Sequence, residues 1–134
     1  MKYFLFLLLG LSIISCKQDL SSDEQAMYDK VMAIHDEVMP KISNMNRLQD
    51  RLEKALPNAE AGPELALVKK NIGDLTAASD LMFEWMENFK KKKDMSEEMT
   101  YMNYLTSEEI RIQRVSDAML SSIAASEALL EKMK

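Results

Sequence analysis

The sequence predicts an all-α protein, an up-down-up antiparallel bundle of three long helices. Apolar residues recur at seven-residue spacing through three long stretches, and chain breakers gather between the first two. No segment alternates apolar and polar side chains for long enough to form a strand. Short turns between long helices make sequence neighbours antiparallel, with apolar stripes close to the coiled-coil period. A helix of about 30 to 35 residues spans roughly 45 to 50 Å at 1.5 Å per residue, so the expected shape is a slender rod.

The first helix is expected over residues 22–56. Val31, Val38, Met45 and Leu52 share one heptad phase, with Ile34, Leu48 and Ala55 in the complementary phase and Ile42 replacing Lys41 there. Ser21 and Glu24 have the spacing of a capping box. Pro40 falls inside this stretch, removes one backbone donor and should kink the helix near residues 36–39. Pro57, Gly62 and Pro63 bound the first turn.

The second helix is expected over residues 64–93, with Pro63 suited to its first turn. Val68, Leu75, Met82 and Phe89 form one series; Leu65, Ile72, Ser79 and Met86 form the other. Asp94 and Glu97 mark the next start, and the third helix is expected over residues 96–132. It carries Leu105, Ile112, Met119 and Met133 in one phase and Val115 and Leu129 in the other. Its later part is rich in Ala and Ser, including Ala118, Ser121, Ser122, Ala125 and Ser126, which permit close helix approach. The bundle thus occupies residues 23–134.

Ahead of it, residues 1–15 read as a secretory signal. Lys2 precedes an apolar run over residues 3–14, which is shorter than the roughly 20 residues a spanning helix needs. The run ends Ile13-Ile14-Ser15-Cys16, which resembles the bacterial lipobox: a branched apolar residue three places before, and a small residue just before, a cysteine that is lipidated. The single Cys of the chain stands at that position. Cys16 is therefore the expected lipidation site, and residues 16–22 are a short tether to the membrane. Several acyl chains give stable anchoring where one is marginal. Lys17 follows where an Asp would favour inner-membrane retention, so the expected location is the cell envelope, at the outer membrane on its periplasmic or outer face. In a rod tethered there, the second helix returns Lys90, Lys91, Lys92 and Lys93 towards the headgroups. Such a cluster can attract anionic lipid, or simply complement the end of a helix.

Composition excludes several chemistries. One His cannot supply a two-histidine zinc protease motif, one Cys cannot form an internal disulfide, and 3 Gly are too few for a phosphate-cradling loop. A net charge of -5 argues against nucleic acid as partner. Paired carboxylates at Glu97-Glu98 and Glu108-Glu109 read as solvated, with no apolar pocket to separate their proton affinities. No catalytic residue stands out, and the chain reads as a non-enzyme without a cofactor.

The 12 Met are the unusual feature, and all but Met1 follow the signal. Met45, Met82, Met86, Met119 and Met133 fall on core phases, and most of the methionine reads as packing. Folding the chain at the first turn, however, brings His35 level with Trp85, the sole His beside the sole Trp. Met32 and Met39 flank His35, and Met82 and Met86 flank Trp85, one helical turn or less away. Thioether and imidazole suit Cu(I), and an indole face can cover a cation. The alternative function is thus copper binding through His35, Met39, Met82, Trp85 and Met86.

The runs Met32-Ala33-Ile34-His35-Asp36-Glu37-Val38-Met39-Pro40-Lys41-Ile42, Met82-Phe83-Glu84-Trp85-Met86 and Val115-Ser116-Asp117-Ala118-Met119 resemble a family of short Bacteroidota lipoproteins often labelled "viral A-type inclusion protein". The resemblance covers most of the chain after the signal. It implies a lipid-anchored helical protein and supplies no catalytic residue. The leading expectation is a lipid-anchored, non-enzymatic envelope protein working by contact with an unknown protein partner, with self-association open because a three-helix rod can expose a residual stripe.

Overall fold

A computed structural model describes residues 20–59 and 62–134. The signal, the lipidation site Cys16 and most of the tether lie outside the described residues. Those described are all-α: α1 (Ser22–Val38), α2 (Ile42–Ala55), α3 (Pro63–Asn88) and α4 (Tyr101–Lys132), with single 3-10 turns at Met39–Lys41, Leu56–Asn58 and Lys92–Asp94 and no strand among them.

α1 begins with the predicted capping box. The Ser21 N–H donates to Glu24 Oε2 at 2.8 Å, and the Glu24 N–H donates to Ser21 Oγ at 3.3 Å. Two orphan donors of the first turn are thereby satisfied. The expected continuous helix over residues 22–56 is divided. The Met39 N–H still donates to the His35 carbonyl, but Pro40 has no N–H, and the Ile42 N–H donates to the Met39 carbonyl in a 3-10 turn. Val31, Val38, Met45, Leu48 and Leu52 are buried on the inner face, as their spacing requires. Gly62 stands at φ 102°, ψ -129°, a region open only to glycine, and Pro63 follows at the first position of α3.

α3 ends at Asn88, five residues short of the expected boundary. Phe89 turns extended, at φ -69° and ψ 123°, which carries its ring among Trp85, Tyr28 and Tyr104. The next N–H, from Lys90, donates to the Tyr104 hydroxyl at 2.7 Å instead of to a helical carbonyl. Tertiary partners thus outcompete another helical turn. The lysines consequently lie in the α3–α4 connection and not in the last turn of a helix. α4 starts at Tyr101, capped by Thr100, whose hydroxyl accepts the Asn103 N–H at 3.3 Å; Asp94 belongs to the preceding 3-10 turn and caps nothing here.

The core differs from the expected phases in two places. On α3 the second buried series is Asn71, Ala78 and Trp85, while Leu65, Ile72 and Ser79 are only partly buried and Met86 is exposed. The helix is rolled towards α4, where Ala78 faces Ala118 and Ser122 across a cleft that small side chains allow to narrow. On α4 the buried series runs Tyr101, Glu108, Val115, Ser122 and Leu105, Ile112, Met119, Ser126. Glu108, expected on a solvated face, is only 2% exposed. Among those buried polar groups, Ser126 Oγ donates to Asn71 Oδ1 at 3.3 Å across the α3–α4 interface, and Asn71 Nδ2 donates to the Leu67 carbonyl at 2.9 Å.

α4 packs against α1, α2 and α3, and α2 packs against α3. Named pairs fix the levels: Lys30 with Glu109 at 2.7 Å, Asn44 with Glu127 at 3.4 Å, and Thr76 with Gln49 at 3.4 Å. α1 and α3 meet chiefly through large side chains, namely Tyr28 on Phe89 and His35 on Trp85.

Candidate functional site

The seam between α1 and α3 gathers the residues singled out from sequence. The His35 and Trp85 ring centroids are 5.7 Å apart and tilted by 31°. His35 holds its ring there by a local bond, its Nδ1 lying 2.8 Å from Asp36 Oδ1. A carboxylate can only accept, so Nδ1 is the donor, and in the neutral ring Nε2 is the free lone pair. The imidazole is largely covered, its side chain 14% exposed.

Trp85 is 4% exposed and continues into an aromatic chain. Its ring is 4.9 Å from Phe89, which in turn is 6.1 Å from Tyr28 and 5.9 Å from Tyr104; Tyr104 stacks on Tyr101 at 5.8 Å. Such tilted pairs contribute about 0.5–1.5 kcal/mol each beyond simple burial. The Trp85 Nε1–H is buried without a hydrogen-bond partner among the described residues, which costs about 1–3 kcal/mol. The ring is therefore held by its faces and not by its N–H.

The four methionines around this pair are not alike. Met82 is fully buried and packs in the core, and Met32 and Met39 are partly buried against it. Met86 is 41% exposed, on the rim of the seam. No group of three or more His, Cys, Asp or Glu among the described residues could hold a metal ion, so any soft-metal site here depends on thioethers.

The lysines occupy the same end of the molecule. Lys92 Nζ is 2.7 Å from Glu24 Oε2, joining the α3–α4 connection to the first turn of α1. Lys90 is anchored through its backbone, its carbonyl also accepting from the Tyr101 hydroxyl at 3.5 Å, while Lys91 and Lys93 are exposed. Beside them a cleft of about 630 Å³ is bordered by Glu84, Asn88, Lys90, Met99, Tyr104 and Arg111. It mixes both charges and contains no nucleophile paired with a base.

Sequence reasoning missed Glu108. Its carboxylate is buried at a core position and paired with Arg111 Nη1 at 2.9 Å. The spacing of Tyr101, Glu108 and Val115 carried the signal, since residues seven apart share a face.

Compared with known proteins, the chain matches no family model, no curated protein and no solved structure. Among the described residues, no helix is long and apolar enough to cross a membrane.

Proposed function

We propose that the protein is a lipid-anchored, non-enzymatic component of the bacterial cell envelope, held at the outer membrane through Cys16 and acting by protein contact. In this reading the helices form an up-down-up bundle whose first helix is bent at Pro40. The pairs Lys30–Glu109 and Asn44–Glu127 ascend together, and the pairs His35–Trp85 and Gln49–Thr76 run oppositely, as that topology requires. The 3-10 turn at Pro40, with its missing donor, is where a bend would fall.

The observation that carries the contact role is α3, which presents Leu67, Leu81, Phe83 and Met86 to solvent as exposed large apolar side chains. Leu81 borders the clefts towards α4 and Met86 lies on the opposite flank, so α3 offers a partner separate apolar contact points and not one patch. The lipid anchor is supported by Ile13-Ile14-Ser15-Cys16 and by the resemblance to short Bacteroidota lipoproteins. The bond from Lys92 to Glu24 supports a membrane-proximal place for the lysine cluster, beside the end of α1 that the tether enters.

Two measurements test this reading. Mass spectrometry of the mature protein should find an acylated N-terminal Cys16, and Cys16→Ala should accumulate as an unlipidated precursor. A mature, membrane-bound Cys16→Ala protein would remove the anchor. A photo-crosslinking residue at Phe83 in cells should give a discrete adduct that the same residue at Asp50 does not. Equal labelling at both positions would remove the contact surface.

A further inference from the structure

We infer that the seam between α1 and α3 binds Cu(I), with His35 Nε2 and the thioethers of Met32 and Met86 as donors and the Trp85 ring as the wall beneath them. This goes beyond the contact role and does not depend on it.

The levels follow from two ring contacts. Tyr28 meets Phe89 at 6.1 Å and His35 meets Trp85 at 5.7 Å. Met32 lies between Tyr28 and His35 on α1, and Met86 lies between Trp85 and Phe89 on α3, so both are bracketed by the same two contacts.

The sides follow from helix geometry. Lys30 reaches Glu109 on α4, so its flank of α1 faces α4. Two residues on, at roughly 100° per residue, Met32 points to the opposite flank. Glu84 borders the cleft shared with Arg111 of α4, and by the same rotation Met86 lies on the far flank of α3. Both methionines therefore border the α1–α3 seam, where His35 already touches Trp85.

The donor chemistry selects the ion. Asp36 fixes the His35 tautomer from outside, the arrangement that orients metal-ligating imidazoles and raises their basicity. One imidazole and two thioethers are soft, neutral donors that favour Cu(I) over oxygen-seeking divalent ions. A monovalent ion costs less to desolvate in a neutral donor set than a divalent one would, and the indole face adds attraction to a cation. A buried Trp85 N–H without a partner needs an explanation, and a ring position fixed by its role as the wall of a cation site provides one. Met82, fully buried, stays with the core and is not among the donors.

The test uses the full-length Cys16→Ala protein in detergent micelles, which removes the chain's single thiol as a rival ligand. Cu(I) is supplied under reducing conditions against the coloured chelator bicinchoninate, and the sole Trp reports by fluorescence. The protein should withdraw a single ion per chain from the chelator and quench Trp85 as it does so. His35→Gln and Met86→Leu should each weaken binding by about tenfold or more, and Asp36→Asn by about tenfold. Met86 is half-exposed, so its replacement by Leu leaves folding intact, which circular dichroism verifies. No withdrawal from the chelator, or unchanged affinity in both His35→Gln and Met86→Leu, would overturn the site.

Discussion

The Lys92 ammonium sits 2.7 Å from the same Glu24 carboxylate that closes the capping box of α1, so one side chain secures both a helix start and a distant connection. Lys92 first, and the Ser21 N–H second, hold the Glu24 carboxyl below the usual carboxylate range. A lowered folded-state pKa means that the stabilisation is complete above the ordinary value and is lost as pH falls through the folded one. Because the pair is partly open to water, its contribution is small and salt-sensitive. Carboxyl-carbon NMR should show Glu24 titrating below the ordinary glutamate value in the wild type, and moving up towards that value in Lys92→Gln. An unmoved midpoint would assign the whole effect to the capping box.

At the opposite end of the pH scale the tyrosines dominate. Burial, reinforced by Tyr28, Tyr104 and Glu24 nearby, pushes the Tyr101 hydroxyl up to about 12, and burial also raises Tyr104. Below the ordinary tyrosine value, about 10, folded and unfolded chains are equally protonated and nothing is lost. Above it the unfolded chain ionises first, so stability should fall until the pH passes the folded value. Phenolate absorbance should therefore show a late-titrating component that loses its latest part in Tyr101→Phe while the contribution of Tyr104 remains. Tyr104→Phe should additionally cost about 1 kcal/mol, because the Lys90 N–H loses its acceptor.

Periodicity made the all-α class and most of the core legible, because Val31, Val38, Met45, Leu52, Val68, Leu75, Met82, Leu105, Ile112 and Met119 obey it with apolar side chains. It failed where core positions are polar. Asn71, Ser122, Ser126 and Glu108 sit at heptad core positions, yet each reads as surface by residue type. Helix ends were misplaced where tertiary bonds decide them, as at Phe89 and Lys90. The His35–Trp85 contact was legible because the two residues stand equally far along the chain from the breakers Pro57, Gly62 and Pro63; the exposure of Met86 was not, since it depends on the roll of α3 towards α4.

The observed phase of α4 makes a direct stability prediction. Leu105 is fully buried, whereas Ile110 is 53% exposed, although both are large aliphatic residues in one helix. Leu105→Ala should cost about 2–5 kcal/mol in denaturant unfolding through lost burial and the cavity left behind. Ile110→Ala should stay within about 0.5 kcal/mol. Comparable losses at both sites would place the α4 stripe on a different face.

Glu108 gives the sharpest test, because its two partners can be separated. Its side chain is 3% exposed, while that of Arg111 is 52% exposed, so the carboxylate bears the desolvation and the guanidinium only caps it. Arg111→Met would leave a buried carboxylate unpaired and should cost about 1–3 kcal/mol, the half-open arginine position limiting the loss. Glu108→Leu removes the charge from an apolar seam and should be neutral or stabilising by up to about 4 kcal/mol. Adding Arg111→Met to that variant should then cost no more than about 0.5 kcal/mol. Such coupling would show that Arg111 acts on stability only through Glu108. A polar residue at a core heptad position commonly fixes helix alignment or assembly state at the expense of stability. Sedimentation of the Glu108→Leu protein therefore completes the test: a stabilised variant that forms larger assemblies would identify Glu108 as the residue that keeps the seam of α4 from pairing with other helices, whereas a stabilised monomer would limit its role to the pair with Arg111.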